Sequence, residues 1–390
     1  MIRSWKSNIL NFLKLEMATG LLILSAAVIA LVLSNSIFSE SYFHFIHLPI
    51  NLSIGSFKLH YGLQHWVNDA LMVLFFYVAG LEIKKELIEG ELASPQKAAL
   101  PIFSAIGGMI VPACIYFFFN YNLESQIGWG IPMATDIAFS LGALSLVKQK
   151  VPLSLKVFLL SLAIVDDLGA ILVIALFYTQ QVSVQFLSWA FALLLLLYIL
   201  RKVGIFNLPL LVVTGFLVWI CFLKSGVHST IAGVLLGFIT PLYHPKTKKI
   251  IAGNYIHKLH SFVNFAILPL FAFSNAGIVI GSQNLLTNFT HPVSIGTFFG
   301  LLLGKPLGVL SFALLSIKLK LSSLPAFVNW RQMLGIGLLS GVGFTMSIFV
   351  TNLSFINNSN LAEIAKLSVL LSSVLAAIIG IIILNKKQNT

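Results

Sequence analysis

The sequence predicts an all-α integral membrane protein with about 12 transmembrane helices. The chain has 390 residues, of which 58% are hydrophobic and 9% charged, and its mean hydropathy is +0.97. Soluble domains carry about 25% charged residues, so most of this chain is solvated by lipid. The apolar residues fall into runs of roughly 20, the length that an α-helix needs to cross a bilayer. Short loops with Lys and Arg separate the runs.

The runs predict spans that together form a single transmembrane domain over residues 1–390. The spans lie near 15–34, 63–83, 98–119, 126–147, 155–178, 184–200, 206–222, 227–243, 257–280, 294–316, 332–354 and 361–384. Lys and Arg are concentrated in every second loop, whereas the alternate loops carry Lys58, Lys224 and Lys366. By the positive-inside rule, this asymmetry predicts that both termini lie in the cytoplasm and that the protein resides in the inner membrane.

The formal net charge of +12 does not indicate a nucleic-acid partner. The basic residues are distributed over short loops, whereas nucleic-acid binding needs them on one patch or stripe. Cys114 and Cys221 both lie in apolar runs, so they indicate neither a disulfide framework nor a metal site.

Two adjacent carboxylates, Asp166 and Asp167, lie in the middle of the fifth run. An Asp at the centre of a membrane helix costs about 2.5–3.5 kcal/mol on insertion scales. Neighbouring helix positions point about 100° apart, so one acid cannot shield the other. An ionisable residue within a span indicates an ion or proton pathway. In the alternative arrangement, one acid pairs with a buried Lys and the other faces water, and this fits Asp166 better than Asp167.

Two runs, near 126–147 and 332–354, are interrupted by Gly and Pro and predict broken helices that cross at mid-membrane. Irregular backbone at this depth is tolerated only where it is buried in protein or lines a cavity. Two such spans in corresponding halves indicate a transporter with inverted repeats. Close helix packing is the alternative role for the glycines.

Asp136 and Lys305 are the charges available to such a crossing. Each half-helix end carries roughly half an elementary charge, so an acid near facing N-termini and a cation near facing C-termini would offset them. At its depth in the tenth run, Lys305 also needs a carboxylate, and Asp166 and Asp167 are the candidates. Its central position disfavours the alternative, a Lys that snorkels to the interface.

Further titratable residues lie near the ends of spans. Asp69 is either a residue of a water-exposed funnel or an interfacial polar residue. His228, His257 and His260 are able to titrate near neutral pH or to fill structural roles. The i, i+3 spacing of His257 and His260 suits a metal, but no further Cys or His completes a site.

Residues 50–60 alternate between apolar and polar on both sides of Gly55-Ser56, which predicts an external β-hairpin with a two-residue turn. An isolated hairpin is marginally stable in water, so its edge is expected to pair with a second copy of the chain. An ordinary connecting loop is the alternative.

At these residues the sequence resembles the NhaA family of sodium/proton antiporters. The matching segments are GWGIPMATDIAF (128–139), AIVDDLGA (163–170), LKSGVH (223–228), LPLFAF (268–273), GKPLG (304–308) and GFTMSIF (343–349). They occur in order over most of the chain. The family is itself a known example of inverted-repeat transporters, so the fold expectation rests on this resemblance as well as on the pattern.

The resemblance implies exchange of cytoplasmic Na⁺ or Li⁺ for external H⁺ by alternating access, with about two protons for each Na⁺. Regulation by pH, a role in sodium and pH homeostasis, and no cofactor are also implied. The implied roles are ion and proton binding for Asp166 and Asp167, transport for Asp136, Thr135, Lys305 and Asp69, and pH response for Glu82, Lys85, Glu86, His228, His257 and His260. The hairpin at 50–60 corresponds to the family's dimer contact.

Two positions depart from the family pattern. Lys85 stands where members often carry Arg, and Ile256, before His257, stands where they often carry Glu. The cluster for pH response therefore lacks one acid, and its set-point is expected to differ.

Two other functional classes also use charges within a membrane. A passive cation channel would show downhill flux without proton coupling. An intramembrane aspartyl protease needs acids on two facing helices, usually in a Gly-x-Gly-Asp motif that this sequence lacks, and it would leave Lys305 without a role.

Overall fold

The computed structural model describes residues 2–54, 57–147, 151–179, 182–243, 259–280 and 285–386. Within these ranges, residues 2–16, 51–54, 57–60 and 285–287 are described by their backbone alone. The helices are α1 Ile2–Ser34, α2 Ser39–Ile46, α3 Leu63–Glu89, α4 Pro95–Phe119, α5 Ile137–Ser145, α6 Leu153–Phe177, α7 Val184–Lys202, α8 Leu208–Ser225, α9 Thr230–Ile239, α10 Leu259–Ala276, α11 Leu285–Thr290, α12 Pro292–Lys318, α13 Trp330–Ser340, α14 Phe344–Ser354 and α15 Ser359–Asn385. Shorter 3₁₀ helices span Glu91–Ala93 and Glu124–Met133.

In the part of the chain that the structure describes, nine helices are long and apolar enough to cross a membrane. The number rises to eleven if each of two bent helix pairs counts as one span. The first pair joins the 3₁₀ helix Glu124–Met133 to α5 with a bend of 45°, and the second joins α13 to α14 with a bend of 44°. The prediction of an all-α membrane protein with two broken spans is therefore confirmed.

The predicted eighth span, near 227–243, is a much shorter helix. Helix α9 has ten residues, so it is about 15 Å long against a bilayer core of about 30 Å. Its last carbonyls are bound by cations: Lys84 Nζ donates to the carbonyls of Phe238 at 2.8 Å and Thr240 at 2.6 Å, and Arg201 Nη1 donates to that of Ile239 at 2.6 Å. These side chains satisfy carbonyls that the end of the helix leaves without intrahelical partners.

Asparagine side chains cap the N-termini of several spanning helices. Asn207 caps α8 through the backbone N–H of Leu210, and Asn358 caps α15 through that of Leu361. Asn329 caps α13 in a reciprocal pair with Gln332, a capping box. These caps satisfy the first backbone donors of each helix and fix where the span starts.

The predicted hairpin is present as two antiparallel strands, β1 Pro49–Ile54 and β2 Phe57–Gly62. The register pairs Pro49 with Gly62 and Ile54 with Phe57, and the turn at 55–56 lies outside the described residues. The indole Nε1 of Trp66 donates to the carbonyl of Ile50 at 3.2 Å, which ties the hairpin to α3.

Helices α4 and α12 pack at very short range through Gly107 and Gly308. A Cβ at Gly107 would lie 2.2 Å from the Gly308 carbonyl oxygen, so no larger residue fits there. One turn along α12 from Gly308 lies Lys305, and a Cβ at Gly108 would lie 3.6 Å from its Nζ. These two glycines therefore serve close helix packing.

The helices fall into two groups that meet around the bends. The bent-span bundle comprises the first bent pair, α4, α6, α12, α13, α14 and α15. The panel comprises α3 and α10 with α7, α8 and α9, and α1 packs against both α5 and α10. We call the side on which α3 starts and α10 ends the hairpin end, and the opposite side the Glu82 end.

Candidate ion-binding site

Asp136 lies at the bend of the first broken span, where it is the N-cap of α5. Its Oδ1 accepts a hydrogen bond from the backbone N–H of Phe139 at 2.9 Å. Its Oδ2 accepts from both the backbone N–H of Thr345, at 3.1 Å, and the Thr345 hydroxyl, at 2.5 Å. Because Thr345 is in the first turn of α14, one buried carboxylate faces the positive N-termini of both half-helices. This is the position that the sequence predicts for an acid at the crossing.

Asp166 forms an ion pair with Lys305. Lys305 Nζ donates to Asp166 Oδ2 at 2.6 Å, and both side chains are fully buried. Of the two candidate carboxylates for Lys305, the structure therefore selects Asp166. The same Oδ2 lies 2.8 Å from the hydroxyl oxygen of Thr135, which also lies 2.7 Å from the carbonyl oxygen of Ser340. The single hydroxyl proton of Thr135 serves one of these acceptors at a time.

The C-terminal carbonyls of α13 are bound by hydroxyl groups. The carbonyl of Ser340 lies next to the Thr135 hydroxyl, and that of Leu339 accepts from Ser140 at 2.8 Å. The sequence suggested that Lys305 would lie near these C-terminal carbonyls and offset their partial charge. In the part of the chain that the structure describes, Lys305 instead donates its hydrogen bond to Asp166.

Asp167 points to the other side of α6, into a cavity of about 50 Å³. The cavity is also lined by Asp136, Thr345, Glu82 and His260. Asp167 is 3% exposed, and within the described ranges its Oδ1 has no hydrogen-bond partner. The Oδ1 of Asp166 likewise has no partner in the described part of the chain, although buried carboxylate oxygens normally find donors or cations. Of the two acids, Asp167 lines the cavity, so its oxygen is the candidate ligand atom there.

The residues predicted for the Glu82 end are only partly brought together. His260 Nε2 lies 3.1 Å from Glu82 Oε1 beside the cavity, and Glu86 Oε1 accepts from Ser161 Oγ at 3.1 Å. Lys85 is exposed. His257, together with Ile256, lies outside the described residues.

Asp69 and His228 form a pair near the hairpin end, with 3.5 Å between Asp69 Oδ1 and His228 Nε2. The Nδ1 of His228 contacts the Thr230 hydroxyl at 2.7 Å, and its ring packs edge-on against Phe349 with 5.3 Å between the ring centroids. No sequence pattern paired these two residues, because they lie on separate elements.

Known proteins match this sequence over almost the whole chain. The profile of the Na⁺/H⁺ antiporter 1 family matches residues 10–384. The chain belongs to the Na⁺/H⁺ antiporter 1 family. It is 45% identical over 377 residues to the Na⁺/H⁺ antiporter NhaA 1 of Clostridium beijerinckii, which covers 96% of this chain and 94% of the relative. It is 44% identical to the NhaA proteins of Shewanella loihica, with 96% of each chain covered, and Haemophilus ducreyi, with 97% of each covered.

Membership of the antiporter family confirms the NhaA resemblance and makes the chain a transporter and not an enzyme. The intramembrane protease alternative is thereby excluded. With its apolar helices and bacterial relatives, the chain is a multi-pass bacterial membrane protein.

This member of the antiporter family also contains a cluster that the sequence analysis missed. Asn275 is 1% exposed, and its Oδ1 accepts from the side-chain amides of Gln64, Asn68 and Asn352 at 3.1, 3.2 and 2.8 Å. We call these four residues the amide cluster. The available signal was the presence of Asn within apolar runs, since a buried amide in a span needs partners.

Proposed function

We propose that the protein exports Na⁺, or Li⁺, from the cytoplasm in exchange for external H⁺, with Asp167 and Asp166 as the exchanging acids. The observation that carries the proposal is the unequal setting of the two neighbours. Both acids have an Oδ1 without a hydrogen-bond partner among the described residues. Asp166 is bound to Lys305 through its other oxygen and lies beside Thr135, whereas Asp167 lines the cavity.

The chemistry of this oxygen suits both transported ions. Small hard cations prefer carboxylate, hydroxyl and carbonyl oxygens, and Asp167, Asp136 and Thr345 supply such oxygens to the cavity. The lone pairs that coordinate Na⁺ are those that hold a proton. The two ions therefore compete for one site, and this competition couples their movements.

The neighbouring acid extends the competition to a second proton. Close carboxylates disfavour double ionisation, so a site without Na⁺ retains protons. An arriving cation offsets the repulsion and displaces protons, with either Asp166 or Lys305 as the second proton carrier. With about two protons for each Na⁺, one net charge enters per cycle, and the membrane potential contributes about 2.3 kcal/mol per 100 mV.

Access to the site alternates between the two ends of the molecule. We assign the Glu82 end to the cytoplasm because Lys and Arg are concentrated in the loops on this side. The cavity beside Asp167 lies toward this end, next to Glu82 and His260. Both termini are then cytoplasmic, the protein resides in the inner membrane, and Asp69 lies on the external path.

Two further proposals concern regulation and assembly. The pair Glu82–His260, with Glu86, Lys85, His228 and His257, adjusts exchange to pH and so serves sodium and pH homeostasis.

The hairpin at 50–60 pairs two copies of the chain through its strand edges. Deletion of residues 51–59 is then expected to dissociate the dimer, measured by native mass, while exchange continues.

Exchange is tested in everted vesicles, where Na⁺, Li⁺ or K⁺ is added to a preformed pH gradient and the gradient is followed with a dye. The wild type is expected to dissipate the gradient with Na⁺ and Li⁺ but not K⁺, and Asp167→Asn is expected to abolish the response. Glu124→Gln is the matched control, because it makes the corresponding change at an exposed acid. Sodium flux without proton movement in the wild type would instead identify a passive channel.

Charge movement is tested by current on a solid-supported membrane. A current accompanying Na⁺/H⁺ exchange supports electrogenic coupling, and verified exchange without current contradicts it. If Asp166→Asn combined with Lys305→Gln retains exchange and current, Asp166 is not an obligatory proton carrier.

A further inference from the structure

One face of α14 connects the acid site to the hairpin end. Thr345, Phe349 and Asn352 are spaced i, i+4 and i+7, so they lie on the same side of the helix. Thr345 binds Asp136 at the bend, and Asn352 donates to Asn275 of the panel at 2.8 Å. The three residues therefore form a column that starts at the acids and ends at the amide cluster.

Phe349 occupies the middle of this column and is 1% exposed. Its ring centroid lies 5.5 Å from that of Phe76, 6.1 Å from that of Phe271 and 5.3 Å from that of His228. All three partners lie outside the bent-span bundle. An aromatic plug thus fills the space between the acids and the hairpin end, whereas the cavity beside Asp167 extends toward the Glu82 end.

The amide cluster lies at the end of the column, between Phe349 and the hairpin end. Asn275 is held within the panel: its Nδ2 donates to Asn68 Oδ1 at 2.8 Å and to the Phe271 carbonyl at 2.9 Å, and its Oδ1 accepts from Gln64 and Asn68. These bonds orient Oδ1. The bond from Asn352 is different, because it crosses from the bent-span bundle to the panel.

We propose that the Asn352–Asn275 hydrogen bond is a latch between bundle and panel that keeps the hairpin end closed and breaks once in every transport cycle. The inference rests on the exchange function proposed above and adds residues that control on which side the acids are exposed. A neutral amide pair suits this task, because water replaces the bond when it opens and its net contribution is small.

Reversible crosslinking tests the latch in a background where Cys114 and Cys221 are replaced by Ser. In this background, Asn275→Cys with Asn352→Cys joins panel to bundle. Ser294→Cys with Ser368→Cys is the matched control, because these hydroxyl groups lie 2.6 Å apart on α12 and α15, both within the bundle. Crosslinking is quantified by mass, with a short bifunctional thiol reagent if oxidation alone is incomplete.

We expect the 275–352 crosslink to lower exchange at least about tenfold and reduction to restore it, while the 294–368 crosslink leaves exchange unchanged. Retained exchange with the 275–352 crosslink complete overturns the proposal, as does equal loss in both pairs. Exchange by the cysteine-free parent is measured first. Its absence there and in the wild type would count against the proposed function and not against the latch.

A second measurement uses Asn352→Ala in vesicles of both orientations. Loss of the latch favours the state open to the hairpin end, so the apparent KM for Na⁺ is expected to rise several-fold at the Glu82 end and to fall at the hairpin end. A purely structural defect would change both values in the same direction, and that result contradicts the latch. Asn207→Ala, which removes a cap bond of α8 within the panel, is expected to leave the ratio of the two KM values unchanged.

Discussion

The two bent spans have almost the same bend, 45° and 44°, but they are built differently. The first carries charge at its break, where Asp136 caps its own half-helix α5. The second has Gly341 and Gly343 at its break and no charged residue, and the first turn of its half-helix α14 bonds to Asp136 of the other span. The backbone N–H of Asp136 in turn donates to the carbonyl of Val342 at 2.7 Å.

The halves that precede the bends differ as well. The 3₁₀ helix Glu124–Met133 is held by hydroxyl groups: Tyr116 donates to the Ser125 carbonyl, Tyr178 to that of Ile127 and Ser347 to that of Ile131. The corresponding half of the second span, α13, is a regular helix with a capping box. The comparison teaches that the second break depends on the first, since one acid serves both half-helix N-termini.

The largest effect is expected for Asp136→Asn. The amide retains one acceptor oxygen where the carboxylate accepts three hydrogen bonds, so about 3 kcal/mol or more of unfolding free energy should be lost. Exchange should fall more than about tenfold. The measurements are denaturation in mixed micelles and vesicle exchange. Asn207→Ala, at an exposed cap of α8, should cost only about 1 kcal/mol; equal losses at both caps would contradict the dual role of Asp136.

Gly341→Ala is expected to cost about 3 kcal/mol, the upper part of the range for overpacking. A Cβ at this position would lie 2.4 Å from the Leu301 carbonyl oxygen, and a backbone atom cannot move aside easily. Gly215→Ala is the control, since its nearest atom is a Leu236 methyl at 3.3 Å. Thermal unfolding in detergent compares them, and similar melting temperatures would show that the second break tolerates a side chain.

Thr345→Val is expected to cost about 2 kcal/mol, because it removes a hydroxyl that donates to a charged group. Thr351→Val, on the same helix, removes a buried hydroxyl that bonds to the carbonyl of Ser347 at 2.7 Å, and it should change exchange little. The difference between the exchange rates of the two variants measures the effect of the Thr345–Asp136 hydrogen bond, which joins the two bent spans. Equal rates would mean that the Thr345 N–H suffices to hold Asp136.

The smallest effect is expected for Ser373→Ala. Ser373 of α15 accepts from the backbone N–H of Phe344 at 3.2 Å, which is the other cap that α14 receives from outside its own span. Loss of this neutral bond should cost about 1 kcal/mol. Ser372→Ala is matched, because this neighbour bonds to the carbonyl of Ser368 within α15. A larger effect at Ser372 than at Ser373 would argue against capping of α14 by α15.

Hydropathy, alternation and the Gly and Pro positions sufficed to predict most of the spans, the two breaks and the hairpin, because each is a local property of the chain. The placement of Asp136 also followed from local physics, the charge of helix ends. The sequence left the partner of Lys305 open between Asp166 and Asp167, because the choice depends on how α6 and α12 each pack against α4, and no local pattern gives this packing.

Contacts between distant segments could not be predicted in the same way. The pair Asp69–His228 joins residues about 160 positions apart, and the pair Asn68–Asn275 of the amide cluster joins residues about 200 positions apart. No periodicity in the sequence predicts such pairs. Helix α9 was expected to be a full span because its apolar run continues through Phe238 and Ile239 up to residue 243. The structure ends the helix earlier, where side-chain cations bind its carbonyls.

Two basic residues that bind the end of α9 act both during membrane insertion and in the folded protein. Lys84 and Arg201 belong to the charge excess from which the orientation of the chain is predicted, and that excess acts while the spans are being inserted. In the finished protein the same two side chains reach inward and bind three backbone carbonyls of a helix that is too short for the bilayer. A neutral replacement of either residue therefore carries two separable costs, one in biogenesis and one in the folded state.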